Sequence, residues 1–315
     1  MSKALLKLLF ICLTTVVNSQ NLVANDKDPY KILFIGHAYG SHSEIDRKLD
    51  SDVIKILENE SYDEFVFGGD FIYNCNDEIE FDNLIKNING KNIKLTIGNH
   101  DDCEKVKTFI KNKYLSINQK QIVNNTLILY LNTSINNQTD LNKLIDYTIN
   151  SIQEEKNVII FCHQVIFSKN DFYLRTNSRK FYDYGNKFYN FLTEKYLGSD
   201  KNVFIITGDI GAFDYTPYSF YDKNEKFRLY ASGIGNSFHK NGINIEINKD
   251  GLIEANFIKL KNSKLLKKRQ FNKIKNQLYQ TPKLVLFLIR KHIYILIGLV
   301  FPIIISYIIF NKKRV

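Results

Sequence analysis

Short apolar runs recur along the chain, and each stops at a glycine or at a His, Asp or Asn. Lys31–Ile35 (KILFI) stops at Gly36-His37. Phe65–Phe67 stops at Gly68-Gly69-Asp70, and Ile93–Ile97 at Gly98-Asn99-His100-Asp101. Val158–Cys162 stops at His163, and Val203–Thr207 at Gly208-Asp209. The runs are too short for helices and rich in β-branched and aromatic residues, so they read as strands. Amphipathic stretches at Glu44–Glu58 and Glu78–Asn87 read as helices between them. Strands alternating with helices predict a layered α/β fold. Phe227–Ala231, Ile243–Ile247 and Leu252–Ile258 read as a strand meander closing the domain. The segment Phe167–Asn186, rich in aromatics and charges, reads as a long loop or lid. No internal repeat or second domain is visible.

The two ends follow other patterns. Lys3 and Lys7 precede an apolar stretch, Leu8–Val17, with Ser19 or Ala24 before a candidate cleavage point. That predicts a secretory signal over residues 1–24. Ile293–Phe310 is an uncharged run of eighteen residues, which predicts a transmembrane helix over 293–310. Pro302 within it is tolerable as a kink. The reading is a folded domain over 25–258, a basic juxtamembrane segment over 259–291, one span, and a short basic tail over 311–315. The signal sends the domain outside the cytoplasm and leaves Lys312–Arg314 inside. The basic residues before the span argue for the opposite sense, but the signal acts first during insertion. Membrane lipid is therefore an expected partner through the C-terminal helix.

Charge adds to this picture once it is located. The 315 residues are 44% hydrophobic and 24% charged, which excludes wholesale disorder. The net charge is +10, from 43 Lys and Arg against 33 Asp and Glu. All 33 acidic residues lie within 1–254, where 29 basic ones accompany them; the other 14 basic residues follow Glu254. A mildly acidic body with a basic tail is not a nucleic-acid-binding surface, and no nucleic-acid partner is expected.

The candidate chemistry lies at the strand ends. In layered α/β folds, ligands bind beyond the carboxyl ends of strands. Five ends side by side would gather His37, Asp70, Asn99, His163 and Asp209, a donor set of imidazole, carboxylate and amide oxygen suited to Zn, Fe or Mn. A serine hydrolase is disfavoured, since no GxSxG occurs. Cys162 and His163 are neighbours in a strand, so they face opposite ways and form no dyad. Cys75 and Cys103 each lie just beyond a strand-end motif, and their pairing is left open.

Over roughly residues 30–258 the order of these motifs resembles the calcineurin-like metallophosphoesterase family. The strongest match is Gly98-Asn99-His100-Asp101, following Gly68-Gly69-Asp70 and preceding the strand-terminal His163. The resemblance implies a four-layer αββα sandwich and one or two divalent or trivalent metal ions, Mn, Fe or Zn, that clamp a phosphate ester and activate a water. It implies that Asp70 bridges metals and that Asn99 and His163 ligate. His100 would contact phosphate or protonate the leaving oxygen, and Asp101 would orient His100. Two motifs depart from the family. His37-Ala38-Tyr39 stands where Asp-x-His is expected, and Gly208-Asp209-Ile210-Gly211 where Gly-His-x-His is expected. Asp209 can replace the first of those histidines as a ligand; Gly211 cannot replace the second. His37 and Tyr39 are candidates at the altered first motif. Gly69-Asp70-Phe71-Ile72-Tyr73 matches the GDxxY string of the purple acid phosphatases, where the Tyr binds iron, so Tyr73 is a further candidate contact. The implied function is a membrane-anchored, metal-dependent hydrolase of a phosphate mono- or diester. The alternative is a weak or inactive relative that binds phosphate or glycan or assists assembly at the membrane.

Overall fold

The computed structural model describes residues 29–39, 49–135, 137–166, 179–209, 219–224, 227–234, 241–260 and 289. The expected signal (1–24) and span (293–310) lie outside them. Among the described residues no helix is long and apolar enough to cross a membrane.

Among the described residues, eleven strands form two sheets. In the first, β1 (Tyr30–Ile35), β2 (Glu64–Gly68) and β3 (Ile93–Thr96) run parallel, and β10 (Asn241–Ile247) and β11 (Ile253–Lys259) add antiparallel beside β1, in the order β11-β10-β1-β2-β3. The second takes β4 (Gln119–Val123), β5 (Thr126–Tyr130), β6 (Asn157–Cys162), β7 (Asn202–Thr207), β8 (Ser219–Asn224) and β9 (Phe227–Ser232), in the order β4-β5-β6-β7-β9-β8. Its central strands β5, β6, β7 and β9 are parallel. Five helices are described: α1 (Ser51–Asn59), α2 (Glu78–Ile88), α3 (Glu104–Tyr114), α4 (Gln138–Ser151) and α5 (Arg179–Tyr196).

Strand periodicity sorts the side chains into three cores. Ile32 and Phe34 of β1, Ile159 and Phe161 of β6, and Phe204 and Ile206 of β7 meet between the sheets. The alternate residues Leu33 and Ile35 face Val53, Leu84 and Val106 of α1, α2 and α3. Val158, Ile160, Val203 and Ile205 face Leu141 and Leu144 of α4 and Phe188 and Leu192 of α5. Because both faces of each central strand are covered, the strands read as continuous apolar runs. The result is helix, sheet, sheet, helix.

Three expectations need correction. The last strands are not a meander: β9 lies in the second sheet, parallel to β7, while β10 and β11 form a hairpin in the first. Phe227, Leu229 and Ala231 of β9 fill the second sheet's outer core, and Ile243, Ile245 and Ile247 of β10 fill the inter-sheet core. The first helix begins at Ser51, capped by the Asp50 carboxylate accepting from Asp52 N. Residues 40–48, where an earlier start was expected, lie outside the described residues. Of the expected loop 167–186, the part from Arg179 onward is helical in α5, with Phe188 and Leu192 driven inward; residues 167–178 lie outside the described residues.

Candidate metal centre

The parallel strands of both sheets deliver their carboxyl ends to one seam. Glycine makes the approach tight. A Cβ on Gly36, after β1, would lie 2.4 Å from the Gly208 backbone after β7, and one on Gly208 would lie 2.0 Å from the Gly68 carbonyl oxygen. The two sheets therefore touch backbone to backbone where the polar residues emerge. The chain turns sharply there: His37 (φ 50) and Asp70 (φ 52) both adopt left-handed conformations, uncommon for residues with a Cβ and frequent at functional sites. His37 N donates to the Gly69 carbonyl and Tyr39 N to the Asp70 carbonyl, so the β1 and β2 loops brace each other.

Four of the five expected ligands converge and are buried. His37, Asp70 and His163 have donor atoms within 4.8 Å of one another and are fully buried. His163 Nε2 lies 3.4 Å from Asp70 Oδ2 and 3.8 Å from Asp209 Oδ1; His37 Nε2 lies 3.5 Å from Asp70 Oδ2 and 3.4 Å from Asp209 Oδ1. These separations are longer than charge-assisted hydrogen bonds, at about 2.7–2.9 Å. They match tetrahedral ligands about 2.1 Å from a shared ion, which lie about 3.4 Å apart. Asp70 Oδ2, His163 Nε2 and His37 Nδ1 are buried with no hydrogen bond. Two buried carboxylates facing two imidazoles call for a cation, and the donor set suits Zn, Mn or Fe. His163 Nδ1 donates to the Gly68 carbonyl at 2.8 Å, which turns Nε2, as an acceptor, into the cluster.

The charges respond accordingly. Burial alone would raise the Asp70 pKa, but His163 and His37 hold it well below the usual carboxylate range. Burial alone would lower that of His163, but Asp70 and Asp209 push it up to about 10. Without metal, a proton on His163 stands in for the cation. A group raised from 6.5 to about 10 contributes stability that is complete below pH 6.5 and lost as pH rises toward 10. Chelator-treated protein is therefore expected to lose thermal stability above pH 6.5. The gain in Tm from added Zn or Mn should grow over the same interval, because the metal displaces fewer protons. Melting curves across that range check this; a metal-induced gain independent of pH would count against it.

The remaining expected residues divide. Asn99 is exposed, unlike the four buried residues. His100 is half-buried and stacks on Tyr73, with ring centroids 5.3 Å apart. Its Nδ1 donates to the Tyr73 carbonyl at 2.8 Å, and its backbone N–H donates to Asp70 Oδ1 at 3.0 Å. Tyr39 is buried, its ring 5.5 Å from His37 and 5.4 Å from His100. Burial, then the negative charges of Asp70, Asp101 and Asp209, raise its phenol pKa and keep it protonated.

Asp101 does not orient His100. Its carboxylate is fully buried and accepts four backbone N–H groups: Asp70 at 2.6 Å, Gly98 at 2.9 Å, Phe71 at 3.0 Å and Ile72 at 3.1 Å. Burial, then the charge on Asp70, hold its pKa above the usual carboxylate range, against the lowering by the Gly98 and Ile72 N–H groups and by His163. Each oxygen nevertheless takes two donors, the arrangement that suits an ionised carboxylate. Asp101 thus holds the loop that presents Asp70. Two further supports on that loop were not read from sequence. Glu80 of α2 accepts from Tyr73 N and Asn74 N. A Cys75–Cys103 disulfide ties the loop to the one carrying His100 and Asp101. Cys162 is buried in the outer core, where burial raises its thiol pKa, so it is no nucleophile.

No family model matches the chain, and no curated protein matches it in sequence. Among solved structures it is similar to a putative 5'-nucleotidase from Staphylococcus aureus, at 11% identity and TM-score 0.47, over 80% of this chain and 58% of that one. This chain thus spans under two thirds of the nucleotidase's length. It is similar to Vps29 of Entamoeba histolytica at 12% identity and TM-score 0.35, over 73% of this chain and 98% of that one. It is also similar to the NAD nucleotidase NadN of Haemophilus influenzae at 12% identity and TM-score 0.27, over 73% and 48%. At these values activity must be argued from the site itself.

Proposed function

We propose that the buried cluster of His37, Asp70, His163 and Asp209 holds one divalent or trivalent metal ion and that the protein hydrolyses a phosphate ester. The observation that carries this reading is the convergence of the buried His37, Asp70, His163 and Asp209 side chains from the carboxyl ends of β1, β2, β6 and β7, with Asp70 Oδ2 and His163 Nε2 facing each other without a hydrogen bond. Such an ion polarises a phosphoryl oxygen and acidifies nearby water. One ion is favoured over two, because Asp70 Oδ1 is engaged by the His100 N–H and Asn99 is exposed. With Nδ1 donating to the Tyr73 carbonyl, His100 presents Nε2 as its second ring nitrogen. A protonated Nε2 suits a proton donor to the leaving oxygen.

The sequence supports an extracytoplasmic domain anchored in lipid by residues 293–310. The Cys75–Cys103 disulfide supports the same reading, since such bonds persist in oxidising compartments.

Purified full-length protein should contain one metal per chain by elemental analysis. It should hydrolyse p-nitrophenyl phosphate or its bis-ester with Mn, Fe, Zn or Mg. A metal-free preparation that takes up no metal would overturn the reading. Metal uptake without hydrolysis would favour the phosphate- or glycan-binding alternative. In metal titrations, Asp209→Ala should weaken binding by about 100-fold or more, whereas Asn99→Ala should stay within a few-fold of wild type. Equal losses would show that Asn99 is a ligand.

A further inference from the structure

A basic cleft lies at the other end of β3 from the metal loop. It is a largely open depression of about 430 Å³ between the edge strands β3 and β4, bordered by the end of α3 and by Tyr147 of α4. That volume suits a small ligand. Lys94, Lys113 and Lys120 line it, with Tyr114, Tyr147 and Gln119, and no acidic side chain is among the lining residues.

Two features distinguish it from a solvated basic patch. Lys94 and Lys113 share one ring: their Nζ atoms lie 4.9 Å and 5.4 Å from the centroid of Tyr114. Burial, then the charge of Lys94, lowers the Lys113 pKa. Behind the cleft, Glu64 is buried, with its oxygens engaged by Tyr130, Gln121 and Tyr30. It offsets at most one of the three positive charges. The second feature is Gln119, only 6% exposed, whose amide nitrogen and oxygen are both buried without a hydrogen bond. An unpaired buried amide is costly and rare enough to need an explanation.

We infer that this cleft binds a nucleotide, with lysine ammonium groups on the phosphates, the Tyr147 ring against the base, and the Gln119 amide pairing with a donor–acceptor edge of the ring. Lysine serves phosphate as a compact point charge. Aromatic faces stack on any base. A glutamine amide matches the adjacent donor and acceptor of adenine. The metal cluster takes no part, so this inference stands or falls separately from the proposed hydrolysis.

The test is calorimetric titration of ADP, adenosine and inorganic phosphate into full-length protein. Chelator-treated wild type and Asp70→Asn serve as two independent ways of silencing the metal centre. ADP should bind in both, and at least tenfold more tightly than adenosine or phosphate. Lys94→Met/Lys113→Met and Gln119→Leu should each weaken ADP at least tenfold. Gln119→Leu should also raise the Tm of the unliganded protein, because leucine leaves no amide unpaired. Undiminished ADP binding in the lysine variant would overturn the inference. So would phosphate binding as tightly as ADP, loss of ADP binding on silencing the metal centre, or no ADP binding by wild type.

Discussion

Asp101→Ala should cost the protein both its metal and much of its stability, although Asp101 is not placed as a ligand. The substitution strips the acceptor from four buried backbone N–H groups, those of Asp70, Phe71, Ile72 and Gly98. At about 1–3 kcal/mol for each stranded donor, the loss is at least about 4 kcal/mol, comparable with the whole stability of a modest domain. Asp101→Asn is the gentler probe. Its amide NH2 would face two of the four N–H donors, loosening the loop that holds Asp70 in its left-handed conformation. Metal affinity should fall by about 10–100-fold together with Tm. His100→Ala should leave metal affinity near wild type and reduce turnover, since the backbone N–H that reaches Asp70 Oδ1 remains. If Asp101 acted by orienting His100, the two variants would instead share a turnover defect with metal binding intact. Metal titration and melting curves on both variants separate these outcomes.

The second large effect is expected at a residue with no side chain. In Gly208→Ala the new methyl would sit 2.0 Å from the Gly68 carbonyl oxygen and 2.8 Å from its carbon. Both atoms are backbone, so no rotamer change relieves the overlap, and the two sheets must separate at the seam. A loss of about 3 kcal/mol or more is expected, with loss of metal binding because Asp209 follows directly. Gly198→Ala is the control, since a Cβ there meets nothing within 4 Å. It should be neutral or slightly stabilising through reduced freedom of the unfolded chain. Equal melting temperatures for the two variants would show that the seam is not the constraint.

These expectations also mark where the sequence could be read and where it could not. The strand-end pattern was legible because each run is a local signal: β-branched residues, then a glycine, then a polar side chain. His37, Asp70, His163 and Asp209 were all named from it, and the structure gathers all four. Asn99 belongs to the same pattern but faces solvent, because one position along a turning loop changes which way a side chain points. Asp101 was legible as a carboxylate near the site but not as an acceptor for four amides, since three of those amides come from a segment about 30 residues away. The shift of β9 to the second sheet was hidden for a similar reason. An apolar alternation states that a strand is buried and leaves open which sheet buries it.

The sequence by itself determined the layered α/β class, the strands that carry the polar ends, and the residue types that end them. Periodicity and turn chemistry act over a few residues, so they can be read without a partner. Only the tertiary structure decided which strand ends share a seam, which carboxylate faces a cation and which faces backbone amides, and that Lys94 and Lys113 crowd one ring beside an unpaired Gln119. Those outcomes depend on distances between segments far apart in the chain, where burial turns a polar residue into a ligand, a clamp or a cost.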